Sequence, residues 1–309
     1  MKKNRSFLLL VILFSGCTFF SNPNSPQGYV RHCIRIMDKA GLYAEGTEWQ
    51  TARTAALQQA RDITSLDEAH RIVSTALRVC GGKHSTLRPP LKKTNQQMEE
   101  MSCVQFRDDS ILYLKLPEHM GVDVSDSLYT FTVYDAICQH TDAQGYIIDL
   151  RGNTGGNMYP MFAALSPLIP DGVCLSFQKR QRTIPLSIEY IRKSEIGNRR
   201  PMPGESFIQS VRQRPIALLT DTLTASSGEA TLLAFRGLSN ARTFGLPTAG
   251  YASANVPYPL TDSYTLVLTT SRDVARTGEI FCDDPIHPDV ETDTPLDDAL
   301  AWIKKNIHK

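Results

Sequence analysis

Apolar residues recur at helical spacing over residues 29–41, where Tyr29, Val30, Cys33, Ile34 and Met37 share a face and Gly41 ends the run. The same period predicts helices over 49–61 and from Ser65 to Cys80, the second opened by Ser65 with Asp67 and Glu68 behind it. Strand-like runs follow at 104–107 and 111–116, then an amphipathic helix over 125–140. Two short runs, Gly145-Tyr-Ile-Ile-Asp-Leu150, apolar apart from Asp149, and Ile216-Ala-Leu-Leu219, suit strands buried on both faces of a parallel sheet. Each leads through a turn of small residues into a helix, one beginning near Tyr159 and the other at Glu229. Further strands are expected within 173–187, at 242–245, 256–258 and 264–270, with a closing helix over 296–307 and an irregular surface excursion over 194–214. Strands alternating with helices imply a layered α/β fold.

Composition narrows the picture. The chain has 309 residues, 41% of them hydrophobic, enough for a packed core. Its net charge of +1, without long charge runs, gives no reason to expect a nucleic-acid partner. A basic start, Met-Lys-Lys-Asn-Arg5, precedes an apolar stretch over 7–14 that is too short to span a bilayer, which reads as an export signal over 1–16. Leu13-Phe-Ser-Gly-Cys17 resembles a bacterial lipobox, implying lipidation of Cys17, a membrane anchor and a polar tether over 17–28; an ordinary signal with Cys17 incidental is the alternative. The other six cysteines show no Cys-x-x-Cys spacing, so buried free thiols are the default, a Cys33–Cys80 bridge between two helices the alternative, and a metal site is not expected.

The candidate chemistry lies in the turns. Ser226 sits where a strand gives way to a helix, and the unpaired N–H groups of a first helical turn can stabilise an oxyanion. The competing reading makes Ser226 and Ser227 helix caps, with Glu229 closing a capping box. Gly152-Asn-Thr-Gly-Gly-Asn157 lets backbone amides face a ligand but lacks the Lys-Ser/Thr of a P-loop and the spacing of a dinucleotide fingerprint, so no cofactor is implied. Among the histidines, His84 in the loop Gly81-Gly-Lys-His-Ser-Thr-Leu-Arg-Pro-Pro90 is the best candidate for a base.

Four ordered segments carry a resemblance: Gly145-Tyr-Ile-Ile-Asp-Leu-Arg-Gly-Asn-Thr-Gly-Gly156, Leu223-Thr-Ala-Ser-Ser-Gly-Glu229, Gly245-Leu-Pro-Thr-Ala-Gly250 and Pro285-Ile-His-Pro-Asp-Val290. From about Tyr29 to the C-terminus the chain resembles the tail-specific, or C-terminal processing, serine peptidases, together with the tricorn core and the photoreceptor retinoid-binding protein. The resemblance implies a crotonase-like α/β core over 103–309 behind a helical subdomain over 29–92. It makes Ser226 the nucleophile and gives the oxyanion hole to backbone N–H groups of Gly155 or Gly156 and of Ser227. The processing peptidases place a lysine base just after the Thr-x-Gly turn, but here Tyr251 follows Gly250 and no lysine lies between Lys193 and Lys304. They also usually carry a PDZ domain, for which the connector over 92–102 leaves no room.

Both departures resemble the tricorn-like branch, whose Gly-Asp-Gly-His loop is similar to Gly81-Gly-Lys-His84. His84 would then be the base, oriented by a carboxylate for which Asp283 is favoured over Asp284 and Glu279. The reading is an exported, lipid-anchored serine endopeptidase acting on a peptide or protein. Two alternatives remain: a non-catalytic peptide- or lipid-binding lipoprotein on the same fold, and a crotonase-type enzyme acting on an acyl thioester, against which the export signal argues.

Overall fold

The computed structural model describes residues 25–90, 102–107, 110–121 and 124–307; the expected export signal, Cys17 and all but the last residue of the 92–102 connector lie outside them. The chain begins with helices α1 (Pro26–Ala40), α2 (Thr47–Gln59) and α3 (Leu66–Gly81). Helix α1 starts three residues before the expected boundary, because Ser25 caps it by accepting from the Gly28 N–H and Pro26 fits the first turn. The last residues assigned to a tether are therefore helical. Helix α3 starts after Ser65 as expected, and Ser65 and Glu68 exchange bonds in a capping box.

After β1 (Thr86–Arg88) come β2 (Cys103–Arg107), β3 (Ile111–Lys115), α4 (Val124–Gln139), β4 (Gly145–Asp149) and α5 (Met158–Ala164). The hairpin β5 (Val173–Gln178) and β6 (Thr183–Ser187) leads into α6 (Ile188–Ile191), a π-turn over Arg192–Ile196, and α7 (Glu205–Val211). The 194–214 excursion is thus partly helical, with Ile208 and Val211 buried against the body. Then follow β7 (Ile216–Thr220), α8 (Ser227–Phe235), β8 (Ala241–Gly245), β9 (Ser253–Pro259), β10 (Thr265–Ala275), β11 (Ile280–Phe281), β12 (Val290–Glu291) and α9 (Pro295–Asn306).

One sheet has the order β12-β8-β7-β4-β3-β2, parallel except for the β2–β3 pair. Strands β4 and β7 lie at its centre, and every residue of both is buried, including the polar Asp149 and Thr220 at their ends. Alternation along the strands splits the side chains between two cores. Leu112, Leu114, Tyr146, Ile148, Ile216 and Leu218 meet α4, α5 and α8 on one face. Ile111, Tyr113, Ile147, Ala217, Leu219 and Phe244 meet Ala299 and Ile303 of α9 on the other. The result is the layered α/β core expected from the sequence.

A second sheet is built on β10, which pairs with β1, β5, β9 and β11. The N-terminal helices bury their apolar faces against Leu266 and Leu268 of this sheet and Leu260 in the turn before β10. That contact, with β1 paired to β10, carries the loop holding His84 to strands nearly two hundred residues later. Cys33 and Cys80 are buried free thiols, so the alternative bridge is not formed; Cys80 Sγ instead lies 3.4 Å from the Met37 carbonyl as a donor. No described helix is long and apolar enough to cross a membrane.

Candidate active site

Ser226 occupies the break between β7 and α8 with φ 51° and ψ −113°, a conformation that a non-glycine residue adopts only when its surroundings hold it there. The hold comes from Glu229, one turn into α8. Its carboxylate is fully buried and accepts from the N–H of Ser226 (2.8 Å), Gly250 (2.9 Å) and Tyr251 (2.7 Å) and from the Thr248 hydroxyl (2.5 Å). Burial raises its pKa, and these four donors oppose the rise. The cap and the nucleophile readings of this turn are therefore compatible. One acid closes the helix start and pins the Thr248-Ala-Gly250 turn beside the serine.

Glu229→Gln is expected to be costly. An amide can present only one oxygen, so one pair of these donors would face its NH2 group. We expect a loss of about 2–4 kcal/mol, seen by circular dichroism as a melting temperature lower by roughly 5–15 °C.

The glycine loop between β4 and α5 approaches Ser226 from the other side. Gly155 and Gly156 have φ of 116° and 110°, and a Cβ on Gly155 would lie 2.8 Å from Ser226 Cβ. A Cβ on Gly156 would lie 2.1 Å from the His119 carbonyl oxygen, so neither position accepts a side chain in this geometry. The Gly155 N–H is already given to Asn153 Oδ1 at 2.9 Å, which removes it from the expected oxyanion donors. The N–H groups of Gly156 and Ser227 have no hydrogen-bond acceptor among the described residues, and the second is the first amide of α8. Ser227 Oγ donates to the Gly156 carbonyl at 2.6 Å, tying these two amides' elements together.

Two residues that the sequence did not single out brace this loop. Asn153, fully buried, donates through Nδ2 to the Leu116 and Pro117 carbonyls and accepts the Ala225 N–H on its own carbonyl. His119 donates its N–H to the Gly155 carbonyl, accepts from the Asn157 N–H, and places Nε2 2.6 Å from Asp126 Oδ1.

Ser226, His84, Ser227 and Gly156 line one cleft of about 600 Å³ between the second sheet and the starts of α5 and α8. No hydrogen bond joins Ser226 to His84. His84 is mostly buried, and its pKa is pushed down to about 4, first by that burial; the Asp283 charge and a bond to Ser253 oppose the shift, while Lys83 adds to it. The ring is therefore neutral near neutrality. Its Nδ1 lies 2.9 Å from Ser253 Oγ, and its edge stands against the Tyr251 ring at 5.2 Å.

The expected carboxylate is not bonded to the ring. Asp283 Oδ2 instead accepts the Tyr43 hydroxyl at 2.9 Å and reaches His84 only through its charge. Glu279 is engaged with Arg236 and Thr277, and Asp284 is exposed, so neither rival holds His84. The residue that holds Nδ1 is Ser253, at the start of β9. Nothing in the run Tyr251-Ala-Ser-Ala254 distinguishes that serine in sequence. Lys83, beside His84 in its loop, is exposed, lies 4.5 Å from the Tyr251 ring and gives its ammonium to the Ala249 carbonyl.

Residues 110–292 match the family model described as peptidase family S41. A nisin-resistance protein from Lactococcus lactis subsp. lactis is 32% identical over 287 residues, 92% of this chain and 89% of that protein. The carboxy-terminal processing protease CtpA of Bacillus subtilis (strain 168) is 27% identical over 161 residues, covering 52% of this chain and 31% of that one. Among solved structures, a lipoprotein from Streptococcus agalactiae superposes with a TM-score of 0.79 at 29% identity, over 92% of this chain and 98% of that one. The photosystem II D1 C-terminal processing protease superposes with a TM-score of 0.60 at 12% identity, over 87% and 93%, a likeness of fold.

Proposed function

The chain belongs to peptidase family S41, and on that footing we propose that it is a serine endopeptidase of the cell envelope that cleaves a peptide through an acyl-enzyme on Ser226. The observation that carries this reading is the strained Ser226, set beside two unengaged backbone amides and in one cleft with a neutral imidazole. With Nδ1 donating to Ser253, Nε2 of His84 carries the lone pair a general base needs. His84 would take the Ser226 proton as Oγ attacks the carbonyl carbon. The oxyanion would sit on the N–H groups of Gly156 and Ser227, and His84 would return the proton to the leaving amine. Asp283 favours the imidazolium through its charge rather than by contact.

The relatives named as a nisin-resistance protein and a lipoprotein support two finer points. A peptide such as nisin is a fitting first substrate to try. A lipid on Cys17 would hold the enzyme at the membrane where such a peptide acts. The test is labelling of the mature protein by an alkyl fluorophosphonate, with Ser226→Ala as the control. Labelling of wild type alone supports an activated serine. Absence of labelling in a folded wild-type sample overturns the mechanism and favours the non-catalytic binding protein.

A further inference from the structure

Two polar side chains in the cleft have no part in this mechanism. Ser271 and Asp273 stand two residues apart on β10, so they share one face of the strand. Both line the cleft with Ser226 and His84, and they are only 1% and 2% exposed. Ser271 Oγ and Asp273 Oδ1 are buried without a hydrogen-bond partner among the described residues. Buried polar atoms are nearly always paired, and an unpaired carboxyl oxygen is among the costlier exceptions. Glu229, the neighbouring buried acid, shows how this fold treats a carboxylate it needs for structure, supplying four donors. Asp273 is given no such shell, although its backbone is fixed between β5 and β11 opposite Phe177 and Phe281. A rigid, unsatisfied acid in a cleft fits a group whose partner arrives with a ligand.

We propose that Ser271 and Asp273 form a side-chain subsite that takes a cationic group, an ammonium or guanidinium, from a peptide residue near the scissile bond. The proposal deepens the peptidase reading and rests on it for the identity of the ligand as a peptide.

Charge favours a cation over a neutral polar group. Burial and then the Glu229 charge push the Asp273 carboxyl up to about 8, so by itself it keeps its proton at neutrality. An entering ammonium stands in for that proton, which leaves to solvent, and the carboxylate–ammonium pair is then desolvated and hydrogen-bonded. Arg88 and Lys179 also line the cleft, but Arg88 is exposed and Lys179 half-buried. Water and salt screen charges so placed far more than a buried one. Arg272, on the opposite face of β10, lies over the Tyr43 ring.

The test uses calorimetry on the mature chain carrying Ser226→Ala, so that no peptide is consumed. Acetyl-Ala-Ala-Lys-Ala-amide is compared with the same peptide carrying norleucine for lysine. The lysine peptide is expected to bind at least about tenfold tighter, and at pH 7 to release about one proton per peptide. Adding Asp273→Asn, which keeps the side chain's shape, should bring the two peptides to similar affinity and abolish the proton release. Equal binding of the two peptides, or a lysine preference that survives Asp273→Asn, overturns the subsite. Fluorophosphonate labelling of the wild type, run in parallel, separates the two ideas. Labelling without lysine preference sinks the subsite alone, whereas lysine preference without labelling leaves the subsite standing and sinks the peptidase.

Discussion

Replacing Ser226 by alanine is expected to lower peptide cleavage by about 10⁴-fold or more and to abolish fluorophosphonate labelling, with little change in the fold. The backbone argument is what makes the variant clean. The φ of 51° is held through the Ser226 N–H bond to Glu229, and alanine keeps both that N–H and the Cβ that touches Gly155. Alanine is no more strained at this position than serine, so the melting temperature should stay within a few degrees. Only the oxygen that would form the acyl bond is removed. A residual rate above the uncatalysed one is expected, because the amides of Gly156 and Ser227 remain in place. A variant that still formed a covalent adduct would show that some other side chain is the nucleophile.

Much of this site could be read in the chain because its parts are local. The strand ending at Thr220, the small residues and the acid at 229 lie within ten positions, so the strand-to-helix break announces Ser226 directly. The paired glycines of 152–157 are equally visible, since backbone close to another chain segment demands them. What could not be read was the packing between distant elements. Ser253 meets His84 only because β9 and β10 bring residue 253 to the loop after α3. The resemblance puts Asp283 beside the imidazole, but the Tyr43 hydroxyl, from the turn between α1 and α2, takes its oxygen.

Strand β10 shows a similar limit. Its sequence pattern ends at Thr270, where Ser-Arg-Asp interrupts the apolar run, whereas the strand continues to Ala275 by pairing with β5 and β11. Two of the three polar residues that hid the strand, Ser271 and Asp273, face the cleft, and Arg272 lies on the other side. The excursion over 194–214 was obscured differently. Its helical pieces, the end of the π-turn over Arg192–Ile196 and α7, are short, and their burial depends on the body they lie against rather than on their own periodicity.

The acid limb of activity should lie unusually low. A general base works when unprotonated, and His84 is held neutral down to about pH 4 by its burial. The rate constant for fluorophosphonate labelling is therefore expected to stay level through the mildly acidic range. It should fall about tenfold per pH unit only below the His84 pKa, whereas an unshifted histidine would begin to fail near pH 6.5. Stability runs on a different window. The unfolded chain binds the histidine proton with its ordinary affinity, so the contribution of His84 is complete above that ordinary pKa. It erodes as the pH falls from there towards about 4, so folding must be monitored alongside rate. His84→Ala should lose about 10⁴-fold in rate. Two milder variants separate contact from field. Ser253→Ala removes the partner of Nδ1 and should cost about 10- to 100-fold through loss of ring orientation. Asp283→Asn removes a charge that holds the pKa up, so it should move the acid limb to still lower pH while costing less in rate. If Asp283→Asn instead costs as much as His84→Ala and leaves the limb in place, then Asp283, not Ser253, is the group that orients the imidazole.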